Sequence, residues 1–200
     1  MRRLNMFNSV SLDGYFTDSS NDMSWAHAGG DDAEFQQFVA GNAKGGSALV
    51  FGRVTYEMMA SFWPTPAAAQ MMPEVAKGMN ATPKYVFSRS LKKADWANTS
   101  VLNGDPAQEI ARLKREGGPS LTVLGSGSIV KQLTAAGLID DYQLVICPVI
   151  LGGGRTLFEG PTGKPGLRLA SSRTVTNGKG CGHSTPPTTT CAYTACLRPP

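Results

Sequence analysis

Leu121-Thr-Val-Leu-Gly-Ser-Gly-Ser-Ile-Val-Lys131 reads as a buried strand that passes through a glycine turn directly into a helix. The strand ends at Leu124, Gly125 and Gly127 let the backbone bend and approach a ligand, and Ser126 and Ser128 stand where they can cap the helix running toward Ala136. Unpaired amides and the positive end of the helix dipole then converge on one spot, where an anion is stabilised. A Gly-Ser turn before a helix also serves as a plain strand–helix junction, so the surrounding sequence has to decide between the two.

Upstream, Pro106 opens an amphipathic helix through Arg115 that Gly117-Gly118-Pro119 stops. Downstream, Asp141 to Leu151 is a long apolar run with β-branched residues, the mark of a strand buried on both faces. The same alternation extends toward the N-terminus. Leu4 to Ser11 is a strand leaving into Asp13-Gly14, and Asp31, Asp32 and Glu34 form the acidic first turn of a helix carrying Phe35, Phe38 and Val39. Ala48-Leu-Val-Phe51 is a short buried strand, Gly52 turns the chain, and Val54 to Ser61 is a helix broken at Phe62-Trp63-Pro64. Pro66 to Pro83 contains one predicted surface helix, Ala67 to Asn80. Lys84-Tyr-Val-Phe87 and Ser100-Val-Leu102 are further strands, the first ending at Ser88-Arg89, and Leu167 to Thr176 is another. Strands alternating with helices predict an α/β domain whose sheet is largely parallel, with antiparallel strands at the C-terminal end.

Two hundred residues with 41% hydrophobic and 17% charged composition fit one domain with one sizeable core. The net charge of +4, from 19 Lys and Arg against 15 Asp and Glu, is scattered, giving a weak pull on phosphorylated ligands and no case for nucleic acid. No run of about 18 apolar residues predicts a membrane span, and Met1-Arg-Arg-Leu-Asn-Met-Phe7 lacks a signal-peptide core, so a cytoplasmic location is expected. Cys147 reads as core. Cys181, His183, Cys191 and Cys196 match no zinc spacing, and no metal is predicted. From residue 179 to 200 the composition shifts to Cys, Thr and Pro, which predicts an irregular tail beyond a domain of residues 1–178.

An ordinary dinucleotide-binding βαβ unit is excluded by order. It places its glycine turn after the first strand, carries a third glycine where Val130 stands, and needs an acidic residue about 20 positions on at a strand end.

Several segments together resemble another family. Ser11-Leu-Asp-Gly-Tyr-Phe16, Phe51-Gly-Arg-Val-Thr-Tyr-Glu57, Phe62-Trp63, Ser88-Arg89, Leu124-Gly-Ser-Gly-Ser128, and Leu138-Ile-Asp-Asp-Tyr142 through Pro148-Val-Ile-Leu-Gly-Gly-Gly154 are similar to the dihydrofolate reductase-like superfamily. Within it, the chain resembles stand-alone domains akin to the C-terminal reductase of riboflavin biosynthesis, and the match spans Leu4 to Val175. The resemblance implies a three-layer α/β domain with NADPH lying across the carboxyl ends of the strands. It places Gly52, Arg53 and Thr55 at the cofactor phosphates, Ser88 and Arg89 at the adenosine 2′-phosphate, and Gly125, Ser126, Gly127 and Ser128 at the pyrophosphate or nicotinamide half.

The implied reaction is hydride transfer to a C=N or C=O carbon of a pterin- or pyrimidine-like heterocycle or a carbonyl compound, with a proton supplied to the neighbouring heteroatom. Asp13, Asp31 and Asp32 are the candidate proton donors or substrate anchors. Each has an ordinary alternative role, Asp13-Gly14 as a turn pair and Asp31 and Asp32 as complements to a helix dipole. The resemblance also implies a homodimer with Leu138 to Leu151 near the two-fold axis. A nucleotide-binding module without turnover, or an antifolate-binding protein, would share the same fold.

Overall fold

In a computed structural model, which describes residues 1–27, 46–158, 166–176 and 191–199, the strand Ala48–Gly52 is buried at every position. Ala48 and Val50 belong to one apolar cluster, Leu49 and Phe51 to another, so the sheet at this strand is covered on both faces. The strands are β1 (Leu4–Ser11), β2 (Tyr15–Thr17), β3 (Ala48–Gly52), β4 (Lys84–Phe87), β5 (Thr99–Leu102), β6 (Leu121–Leu124), β7 (Asp141–Cys147), β8 (Arg155–Thr156), β9 (Arg168–Thr176) and β10 (Cys191–Arg198). The helices are α1 (Arg53–Phe62), α2 (Pro66–Met71), α3 (Pro73–Ala81), α4 (Pro106–Arg115) and α5 (Gly127–Ala135).

Eight strands form one sheet in the order β5-β4-β3-β6-β1-β7-β10-β9, parallel from β5 to β7, while β2 and β8 make a small antiparallel pair of their own. Ile129, Val130 and Leu133 of α5 and Ile110 and Leu113 of α4 pack with Leu4, Met6, Val50 and Val123 on one face. Tyr56 of α1 and Val75 and Met79 of α3 pack with Leu49, Phe51, Val86 and Trp96 on the other. The predicted α/β architecture with antiparallel C-terminal strands is the one observed.

The predicted helix from Ala67 to Asn80 is two helices instead. Pro73 cannot donate a backbone hydrogen bond and starts a new helix at its first position, with Thr65 capping the shorter one before it. Nor is the segment wholly on the surface, since Ala68, Val75, Ala76 and Met79 are buried.

The irregular tail predicted beyond residue 179 does not hold for residues 191–198. β10 lies between β7 and β9, antiparallel to both, with Tyr193 opposite Ile146 and Thr174. The prolines that suggested irregularity stand at 186, 187, 199 and 200, outside the strand, and Cys191 to Arg198 itself contains none. Averaging composition over the whole tail hid a β-compatible segment of eight residues. Cys181 and His183 lie outside the described residues.

Charged residues fasten the amino-terminal edge of the sheet. Asp140 accepts from the Leu4 amide and the Lys114 ammonium, both at 2.7 Å, and Asp141 is held between Arg3 and Arg198. The opposite, carboxyl-terminal edge carries few such staples, and the candidate site lies there.

Candidate functional site at the carboxyl ends of the strands

Two helices on opposite faces begin at neighbouring strand ends. α1 follows β3 on one face and α5 follows β6 on the other, and β3 and β6 are adjacent in the sheet. That is the kind of crevice in which open parallel sheets bind ligands. The strand–turn–helix predicted at 121–131 is present, with Gly125 at φ +61°.

Ser126 also adopts the left-handed conformation, at φ 61° and ψ 67°, and this changes what its side chain does. An N-cap serine ordinarily sits in extended backbone and bonds its own helix. Here the hydroxyl points across the crevice, accepting the Gly52 amide at 2.7 Å and donating to Thr55 Oγ1 at 2.9 Å. Ser126 therefore caps no amide of α5, contrary to expectation, and joins the two turns instead. Ser128 is exposed in the first turn of α5, where its side chain is open to solvent.

Close packing keeps the first turns tight. A Cβ on Gly127 would stand 2.7 Å from the ring of Phe16, and the Arg155 guanidinium lies over that ring, 5.5 Å from its centre. With Gly52 satisfied by Ser126, the amides of Arg53, Val54 and Thr55 in α1 and of Gly127 and Ser128 in α5 have no acceptor within their own helices. Oriented amides from two helix starts, fixed by one hydroxyl, suit a diphosphate.

Arg53 is exposed beside them and pairs with Glu57 one turn later, at 3.0 and 2.7 Å from its carboxylate oxygens. Ser88 and Arg89 follow β4, the strand beyond β3. Ser88 Oγ accepts the amides of Ser90 and Leu91 at 3.2 and 2.9 Å, which fixes the turn, while Arg89 is exposed with no ion pair among the described residues. The predicted cofactor residues thus fall along one edge of the sheet, at the ends of β4, β3 and β6.

Asp13 is brought to the same edge but is already engaged. Its carboxylate accepts the Ser11 hydroxyl at 2.6 Å and the amides of Leu151 and Gly152 at 3.2 and 2.8 Å. The Ser11 hydrogen bond, helped by the two amides and opposed by partial desolvation, holds its pKa below the usual aspartate value. A carboxylate kept ionised in this way clamps the β1–β2 turn to the loop after β7 and is a poor proton donor at neutral pH. Asp31 and Asp32 lie outside the described residues.

Phe16 and Arg155 stood out in the sequence, but the way they meet, Phe16 as the wall against Gly127 with Arg155 over its ring, did not. That contact has no local signal, because β2 and β8 are too short for their pairing to be read from periodicity.

Among the described residues, no helix is long and apolar enough to cross a membrane. A structure from Shewanella sp. PV-4, described as a riboflavin biosynthesis protein, aligns over 99% of both chains with a TM-score of 0.70 at 20% identity. Dihydrofolate reductase from Enterococcus faecalis, in complex with NADP(H) and RAB-propyl, aligns over 98% of this chain and 96% of its own with a TM-score of 0.59 at 13% identity. Both likenesses establish the dihydrofolate reductase-like fold. Two uncharacterized proteins of Bacillus subtilis (strain 168) are similar in sequence. YyaP is 26% identical over 178 residues, covering 88% of this chain and 91% of its own, and YwjB is 26% identical over 177 residues, covering 86% and 91%. The family model of the RibD C-terminal domain matches residues 2–179. A chain so matched, carrying this sheet order and this pair of linked helix starts, belongs to the RibD C-terminal domain family.

Proposed function

We propose that the protein is an NADPH-dependent reductase, transferring hydride to a C=N or C=O carbon of a small pterin- or pyrimidine-like heterocycle or carbonyl compound. The observation that carries the proposal is the hydroxyl strut Gly52–Ser126–Thr55, which holds two helix starts side by side where a diphosphate would accept their amides. NADPH would supply the hydride. The chain's part is to bind and orient it: Arg53, Thr55, Gly127 and Ser128 at the phosphates, and Arg89 at the 2′-phosphate, which a guanidinium fork bonds on two oxygens.

Because Asp13 is held ionised, the proton is assigned to Asp31 or Asp32, and Asp13 to the clamp beneath the substrate. A general acid contributes about 10² to 10⁴ in rate, so Asp31→Asn or Asp32→Asn lowers kcat by that order at neutral pH, whereas Asp13→Asn does not reproduce the loss. A binding module without turnover has one observation on its side, the engagement of Asp13 in a purely structural contact.

Titration with NADPH and NADH, followed by NADPH oxidation across a panel of pterins, pyrimidines and quinones, tests the proposal. NADPH binds more tightly than NADH, and Arg89→Ala weakens NADPH by about tenfold or more while leaving NADH unchanged, the loss expected for one charge-assisted contact. No binding at millimolar NADPH removes the reductase, and binding without oxidation of any compound favours the module.

A further inference from the structure

Arg53 in α1 and Arg112 in α4 each pair with a glutamate one turn later, and the two are held differently. Arg112 is enclosed by two carboxylates. Its Nε and Nη2 donate to Glu109 Oε2 at 3.1 and 2.8 Å, and its Nη1 donates to Glu116. Arg53 donates from Nη1 to both oxygens of Glu57, at 3.0 and 2.7 Å. Among the described residues nothing accepts from its Nε or Nη2. The place that Glu109 takes for Arg112, three residues earlier, belongs for Arg53 to Val50, a buried residue of β3.

Arg53 therefore keeps one complete two-pronged edge. In a guanidinium Nε–H and Nη2–H point the same way, and together they meet the oxygens of a carboxylate or phosphate. On Arg112 that edge already holds a carboxylate oxygen, so an oxyanion fits it. The Arg53 side chain is 45% exposed, which leaves it within reach of a ligand.

Glu57 adds little to the helix that carries it. An arginine four residues before a glutamate is the weaker order for such a pair, and both groups are solvated. Nor does Glu57 complement the helix dipole, since it stands beyond the first turn of α1, and the first turns of α1 and α5 carry no acidic residue. Those turns are where the diphosphate is proposed to lie, and Arg53 opens one of them.

We infer that Glu57 is a positioning residue for the cofactor: it grips Arg53 by Nη1 alone and so presents the Nε–Nη2 edge to a phosphate, which takes it on two oxygens. The inference rests on the reductase proposal above. It adds a carboxylate whose part is to hold a cation ready for another anion. Arginine has much rotamer freedom to lose, and a guanidinium already held loses less of it when the ligand arrives.

Removing Glu57 also removes a negative charge, which by itself favours an anionic ligand, so the test compares two variants that both lack the charge. Glu57→Gln keeps an amide oxygen that can accept from Nη1, and Glu57→Ala keeps nothing. The NADPH Kd is measured by titration in each, and again in an Arg53→Ala background, with melting temperatures alongside. Glu57→Ala binds NADPH about three- to tenfold more weakly than Glu57→Gln, the weight of one long side chain left unordered. Its melting temperature is no lower, since alanine is the better helix former. The difference vanishes in the Arg53→Ala background, where there is no guanidinium to hold. NADH gives the same ratio if the edge takes the diphosphate and none if it takes the 2′-phosphate, and either result supports the inference. Affinities of the two variants within about twofold of each other overturn it, as does a difference that persists without Arg53 or comes with a lowered melting temperature. If wild type binds neither NADPH nor NADH at millimolar concentration, the reductase proposal itself fails and the inference falls with it.

Discussion

Ser126 holds a backbone conformation that costs a non-glycine residue roughly 1 to 3 kcal/mol, and it is retained because its hydroxyl completes two other groups. Ser126→Ala leaves the buried Gly52 amide without an acceptor, and a loss of about 1 to 3 kcal/mol is expected in denaturant melts. Ser126→Gly loses the same hydrogen bond but relieves the left-handed strain, so it is the milder of the two. Gly127 is constrained by contact rather than by conformation. Gly127→Ala drives a methyl into the Phe16 ring, lowering stability by about 1 to 3 kcal/mol in the same melts, and Phe16→Leu in the same chain restores part of it. Recovery of stability without recovery of NADPH binding would separate the packing role of Phe16 from any role at the ligand.

At the scale of elements, α3 and β4 are tied by a buried cation. Lys84 is 1% exposed, donates to the carbonyls of Thr82 and Ala97 at 2.7 and 3.0 Å, and lies 4.4 Å from the centre of the Trp96 ring. Burial pushes its pKa down to about 8. The unfolded chain keeps this proton up to the ordinary lysine value near 10.5, so between about pH 8 and 10.5 the unfolded state binds more protons and stability rises with pH. The rise is at most about 3 kcal/mol, because the carbonyls and the ring favour the charged form and act against burial. Lys84→Met removes that slope in urea melts across the window; an unchanged slope would show that another group titrates there.

The elements also show what a sequence gives away. β3, β6 and the turn at Gly125 were legible because continuous apolar runs bounded by glycine leave few alternatives. The split of α2 from α3 was written in Pro73, and β10 was obscured by prolines that flank it. The side-chain links were hidden for a different reason. Ser126 meets Gly52 and Thr55 across 74 and 71 residues of chain, and no local pattern encodes such a contact.

Over the whole molecule the two edges of the sheet are built differently. The amino-terminal edge is closed by ion pairs, Lys114 with Asp140 and Asp141 between Arg3 and Arg198. Desolvation would raise the Asp141 pKa, but hydrogen bonds and charge from the two arginines carry it below the usual value. Its stabilisation is therefore present above the unfolded aspartate pKa and is lost as pH falls through the lower folded value. Asp141→Asn flattens the acid limb of a stability profile without altering NADPH affinity, since the site is at the far edge.

At the carboxyl-terminal edge the starts of helices on opposite faces meet, and their first amides have no acceptor within their own helices. The measurement that tests this most directly is a ¹H–¹⁵N correlation spectrum recorded as NADPH is added to saturation. The largest shifts are predicted at the amides of Arg53, Val54, Thr55, Gly127 and Ser128, with smaller ones at Arg89. Saturable NADPH binding that leaves those amides unmoved, or moves those around Arg3 and Asp140 instead, would contradict the assignment of the linked helix starts as the cofactor site.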